Sequence, residues 1–178
     1  MRNVLLAFIL ISNALWSQRV EWKDDRKLVW SNFKSKTNNQ HGKDIVAYTH
    51  CGWVYSVVKS SNPKGAAKVN IETIFNEDKS WKDEKRINDY VLNHEQKHFD
   101  IAEIYARKIR KEIIAKIKTT SDYDKYFQPI YNRIIKDYKN FQALYDGVTE
   151  HGMNREKQSE YDVMISDELE QLKNYQKP

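Results

Sequence analysis

The chain has 178 residues, with 30 lysines and arginines against 25 aspartates and glutamates, a formal charge of +5, five histidines and one cysteine. This length suits one ordinary domain with a packed core, and a lone cysteine excludes an internal disulfide. The basic excess is small and spread along the chain, so nothing points to nucleic acid as a partner.

Residues Met1 to Ser17 begin with a basic residue, Arg2, and continue through an apolar run from Val4 to Ile11 into small or polar residues at Ser12, Ala14 and Ser17. This pattern predicts a signal peptide over residues 1–17, cleaved before Gln18. A single secreted or periplasmic domain over residues 18–178 follows from it. The apolar run is too short to span a membrane, and no later stretch approaches the roughly 18 apolar residues that a membrane span needs.

Leu28 to Phe33 is a short apolar and aromatic segment, and Lys34 to Lys43 reads as a polar loop. Asp44 to Ser60 is rich in Val, Tyr, Thr and Trp, which predicts one long strand or two joined at a bulge near Gly52. Asn62-Pro63-Lys64-Gly65 is a turn signal, and Ala66 to Phe75 reads as the returning strand of a hairpin. After Asn76 the apolar period changes to 3.6. A helix is predicted over Asn88 to Lys118, with a start as early as Asp83. Its basic cluster from Arg107 to Lys118 lies opposite Ile109, Ile113 and Ile117 and reads as a solvated face.

A second helix, capped by Ser121, carries a stripe of Phe127, Ile130, Tyr131, Ile134, Tyr138, Phe141 and Tyr145, read as core, and closes at Asp146-Gly147. A third runs from about Asn154 to Leu172, with Tyr161, Ile165, Leu169 and Leu172 inward. The expected class is α+β: a small N-terminal antiparallel sheet followed by about three long helices.

Within the first helix stands His94-Glu95-Gln96-Lys97-His98. Two histidines four apart share one helix face, so two imidazole nitrogens can reach one ion. Glu95 is rotated by about a quarter turn, which suits a general base acting on a water beside a metal rather than a ligand. A catalytic zinc takes three protein ligands and keeps one open position. Along the same face, Ile101 and Ala102 stack above His98 and cannot bind, while Asp100 and Glu103 are rotated away. The third ligand therefore comes from elsewhere in the chain. His41 lies in a polar loop and His50 in a strand. His151 lies in the Val148 to Met153 connection between two helices, where a loop can present a side chain to a neighbour, and the adjacent Glu150 can substitute.

Taken together, Leu28-Val29-Trp30 with Phe33, His94-Glu95-Gln96-Lys97-His98-Phe99-Asp100 with Arg107, and Tyr145-Asp146 with Thr149 and His151-Gly152 resemble the bacterial domain-of-unknown-function family nine-two-two. That family is described as predicted secreted zinc-dependent proteases. The resemblance covers nearly all of the chain after residue 17. It implies zinc held by His94, His98 and His151, Glu95 as the base, and a peptide or protein substrate. Two other readings remain open: a non-enzymatic exported domain that binds zinc or a partner, and an amidase acting on cell-wall peptides. Tyr145 or Tyr161 would supply a hydroxyl to the developing oxyanion, although core packing is the simpler role for both. Asp100 and Arg107 would tie the helix to its neighbours or orient a histidine from behind. An edge of the hairpin would align an extended peptide.

Overall fold

The computed structural model describes residues 18–37 and 45–177, so the expected signal peptide and His41 lie outside the described residues. The described residues form five strands and three long helices, and the expected α+β class, sheet first and helices after, is what the chain forms.

The hairpin forms where the turn signal lies. Strand β3 (Cys51–Lys59) pairs antiparallel with β4 (Ala67–Asn76), from Cys51 opposite Phe75 to Lys59 opposite Ala67. In the turn, Gly65 donates its backbone N–H to the Asn62 carbonyl at 2.8 Å, and Lys64 donates to Asn62 Oδ1 at 3.0 Å. A Cβ on Gly65 would fall 2.3 Å from Ser60 Oγ, so the close approach requires glycine. A third strand escapes sequence reading: β1 (Arg19–Glu21) lies along the other edge of β4, giving the order β1-β4-β3.

The expected long strand over Asp44 to Ser60 is broken, and not at Gly52. Strand β2 (Ala47–Tyr48) pairs with β5 (Trp81–Lys82) in a separate two-stranded sheet. The chain changes sheets at Thr49 and His50. Thr49 Oγ1 donates to the Glu95 carbonyl at 3.3 Å. His50 donates its backbone N–H to Ser80 Oγ at 2.9 Å and accepts from the Asn76 N–H at 2.9 Å. These bonds draw the segment across the first helix, which is why one β-rich run serves two sheets.

Helix α1 (Asp89–Lys116) starts where the Asn88 side chain accepts the Val91 N–H. Ile101, Ile104, Ile109 and Ile113 are buried on its apolar side, each removing a side chain worth about 1.5–3 kcal/mol from water. On another side Phe99 packs with Trp22, Leu28, Phe33 and Phe75, and polar contacts fasten the helix to the N-terminal segment and its neighbours. Trp22 Nε1 and Gln96 Nε2 both donate to Asp100 Oδ1 at 2.8 Å. Leu28 N–H donates to Gln96 Oε1 at 2.7 Å. Arg107 lies over the Trp22 ring, with its guanidinium 5.0 Å from the ring centroid, and bonds Glu103, the Leu169 carbonyl and Gln176. Asp100 and Arg107 thus do tie the helix to its neighbours.

Helix α2 (Thr120–Thr149) is capped two positions earlier than expected, by Thr119. Thr119 Oγ1 accepts the Asp122 N–H while Asp122 accepts the Thr119 N–H. It also continues past Asp146-Gly147 to a left-handed cap at Glu150. One glycine costs a helix only about 1 kcal/mol, and packing of the Phe127 to Tyr145 stripe into the main core outweighs it. Helix α3 (Arg155–Gln171) begins with Asn154 accepting the Lys157 N–H, and buries Ile165. Among the described residues, no helix is long and apolar enough to cross a membrane.

Candidate metal centre

His94 and His98 project from the same face of α1, as their spacing requires. Their Nε2 atoms stand 3.1 Å apart. Helix α2 crosses this face and brings in Asp146, whose Oδ1 lies 3.3 Å from His94 Nε2 and 2.9 Å from His98 Nε2. All three ligand atoms fall within 4.8 Å of one another, a group that could hold a metal ion. Asp146 Oδ1 is buried and lacks an aligned hydrogen-bond donor.

The set fits an ion. Zinc bonds of about 2.0 Å in a tetrahedral site place neighbouring ligand atoms about 3.3 Å apart, close to the edges seen here. Burial by itself would lower the His98 pKa, but the adjacent Asp146 carboxylate outweighs it and pushes the imidazole up to about 9. Burial would raise Asp146, yet the two imidazoles hold its carboxyl well below the usual carboxylate range.

Both rings are also held from behind. His94 Nδ1 lies 2.9 Å from Gln158 Oε1, and His98 Nδ1 faces Gln142 Oε1. Tyr145 stacks on the His94 ring, with centroids 4.8 Å apart and planes 15° apart.

His151 stands beside the trio rather than in it. Its Nδ1 is 3.5 Å from Asp146 Oδ1, and its side chain is about half exposed at 49 %. Three successive residues with positive φ, Glu150, His151 and Gly152, carry it there. Gly152 packs against His94: an added Cβ would meet the His94 Cβ and Cγ at 3.2 Å. Glu150, the other third-ligand candidate, is exposed and does not line the cleft. The third arm of the compact group is therefore Asp146, which sequence reading took for a helix end. Its place in the Tyr145-Asp146 block was the available signal. Gln142 and Gln158 gave none.

The trio opens into a cleft of about 500 Å³ walled on one side by Ile45 to Cys51 and on the other by Tyr138, Lys139, Gln142 and Ala143 of α2. Glu95 lines it beside the histidines, with Oε2 buried and without a hydrogen-bond partner. The bordering segment is thus the β2 region rather than the free edge of the hairpin. Tyr145 and Tyr161 do not reach this cleft: Tyr145 donates its hydroxyl to Gln158 Oε1 at 3.0 Å, and Tyr161 packs 5.6 Å from the Tyr145 ring. Cys51 borders the cleft with its thiol donating to the His98 carbonyl at 3.3 Å, and burial pushes its pKa up to about 12.

A family model described as "Bacterial protein of unknown function (DUF922)" matches residues 23–152, which include the histidine motif, Asp146 and His151. No curated protein matches the chain. No solved structure matches it either.

Proposed function

We propose that this chain, which belongs to the DUF922 family of bacterial proteins, is a zinc-dependent hydrolase that cuts peptide bonds. The observation that carries the reading is a trio of ligand atoms 2.9 to 3.3 Å apart, next to a glutamate with a bare buried oxygen in the same cleft. His94, His98 and Asp146 would hold the ion. A bound zinc would acidify a water at its open position and polarise a substrate carbonyl.

Glu95, whose buried Oε2 has no hydrogen-bond partner, would act as the general base, taking a proton from the attacking water and returning it to the leaving amine. His151, which lines the cleft beside Asp146, would orient an incoming carbonyl. The extended wall from Ile45 to Cys51 suits an extended peptide lying along the cleft. Export from the cytoplasm belongs to the same proposal, and N-terminal sequencing of the mature protein tests it.

The Glu95→Gln variant decides the chemistry. It should bind one zinc per chain and lose peptide hydrolysis by a factor of at least about 100. Hydrolysis at the wild-type rate in that variant would remove the base and, with it, the mechanism.

The nearness of His151 favours a second reading, in which four protein groups close around the ion and the site is structural. Spectroscopy of the cobalt-substituted protein separates the two. A spectrum that shifts with pH and with added carboxylate ligands indicates an open position, and one insensitive to both indicates a closed site.

A further inference from the structure

Two glutamines outside the motif grip its histidines, and the rest of the hydrogen-bond network fixes which way round each amide sits. Gln142 Nε2 lies 2.9 Å from the His98 backbone carbonyl, an atom that only accepts. The amide NH₂ is committed there, so Oε1 faces the His98 ring. Gln158 is fixed in the same way. Its Nε2 lies 2.7 Å from Asp162 Oδ1, a carboxylate whose other oxygen takes the Asn93 amide at 2.9 Å, and its Oε1 faces His94 Nδ1. An amide oxygen cannot donate, so each Nδ1 must carry a hydrogen. With Nδ1 committed to the amide, each ring turns its other nitrogen, Nε2, to the shared opening, where the two Nε2 atoms meet at 3.1 Å and Asp146 Oδ1 lies 3.3 and 2.9 Å from them. Two ring nitrogens and a carboxylate oxygen that close call for a cation between them, a proton or a metal ion.

We infer that Gln142 and Gln158 are positioning residues that keep a hydrogen on Nδ1 of His98 and His94, so that Nε2 is the nitrogen each ring turns to the ion. The inference rests on the metal reading above and goes beyond it. Amides grip the rings without adding charge, which leaves Asp146 as the sole carboxylate of the trio. Outer partners of this kind typically account for about 10–100-fold in metal affinity.

The test is ¹H–¹⁵N spectroscopy of the imidazoles in the full chain, without metal and with Zn²⁺, joined to a competition titration of Zn²⁺ affinity. In the wild-type protein both histidines should show a protonated, slowly exchanging Nδ1 and should take Zn²⁺ at Nε2. Gln142→Leu should lose the slow exchange of His98 Nδ1–H and leave His94 unchanged, Gln158→Leu should do the reverse, and each should bind Zn²⁺ about 10–100-fold more weakly.

A bare Nδ1 on either ring of the wild-type protein overturns the inference. So does a pair of variants that lose affinity while both Nδ1–H signals persist, since that would be packing alone. Should the variants fail to fold, the wild-type spectrum still decides. A wild-type protein that takes up no Zn²⁺ would sink the metal reading, while its metal-free spectrum would still report the tautomers.

Discussion

Asp146 and His98 sit on different helices, yet Asp146 Oδ1 lies 2.9 Å from His98 Nε2. The crossing of α2 over α1 therefore builds the site, and Asp146 rather than His151 completes the compact trio. Removing a direct ligand should exceed the effect of removing an outer partner. Asp146→Ala is thus expected to weaken zinc binding by more than about 100-fold, and His151→Ala by about tenfold or less. Competition with a chromophoric chelator measures both. Near-normal affinity in Asp146→Ala with a large loss in His151→Ala would return the third position to His151.

How much of this was legible in the sequence follows from the range of each interaction. The His94 and His98 pair is a local helical relationship, so spacing alone places both on one face. The helices follow from period and caps, and the hairpin from the Asn62 to Gly65 turn. Helix α2 runs past Asp146-Gly147 because that pair is a stop signal only where tertiary packing does not override it. Strands β1 and β5 are three and two residues long, too short for any alternation to register. Asp146, Gln142 and Gln158 reach the histidines only through helix crossing, a contact that no local pattern encodes.

Gly152 should tolerate no side chain. Its φ of +84° is a left-handed conformation, and an added Cβ would meet the His94 ring base at 3.2 Å. Gly152→Ala should cost about 1–2 kcal/mol from backbone conformation alone, with a further loss of zinc affinity as His94 is pushed from its place. Glu150→Gly should act in the opposite direction, because Glu150 is an L-residue with φ of 51° at a helix cap that favours glycine. A gain of a few tenths to about 1 kcal/mol is expected there. Urea denaturation of both variants checks the pair, and equal destabilisation would contradict the assigned backbone strain.

Metal-free and metal-loaded protein should respond to pH in opposite senses. The His98 pKa is raised from 6.5 to about 9 in the folded state. Its contribution to metal-free stability is therefore full below about pH 6.5 and is lost as pH rises through about 9. Asp146 is depressed, so its contribution is present above its ordinary value near 3.8 and is lost as pH falls through the folded one. Zinc must displace the His98 proton, so its affinity should climb as pH approaches 9 and level off above it. Thermal unfolding between pH 5 and about 10, with chelator and with zinc, measures this. A metal-free melting temperature that does not fall between about pH 6.5 and 9 would show that the His98–Asp146 attraction is absent.

The support behind the motif helix should prove less replaceable than any surface pair. Glu103 is 2 % exposed and accepts from Arg107 Nε at 2.8 Å, Arg110 Nη1 at 2.9 Å and Thr73 Oγ1 at 2.6 Å. Removing it leaves Arg107, itself 2 % exposed, as an uncompensated buried charge. Glu103→Ala should therefore cost about 3–5 kcal/mol. Glu112 also meets two cations, Lys116 at 2.6 Å and Arg133 at 2.9 Å, but at the surface, where both partners are more than half exposed. Glu112→Ala should cost at most about 1 kcal/mol. Denaturant titration of the two variants side by side tests the contrast. Because Glu103 joins α1 to Thr73 of β4, its loss should loosen the helix against the sheet, and zinc affinity should fall with stability. A Glu103→Ala protein as stable as Glu112→Ala would mean that Arg107 escapes to solvent, and that the carboxylate beneath it does not hold the helix in place.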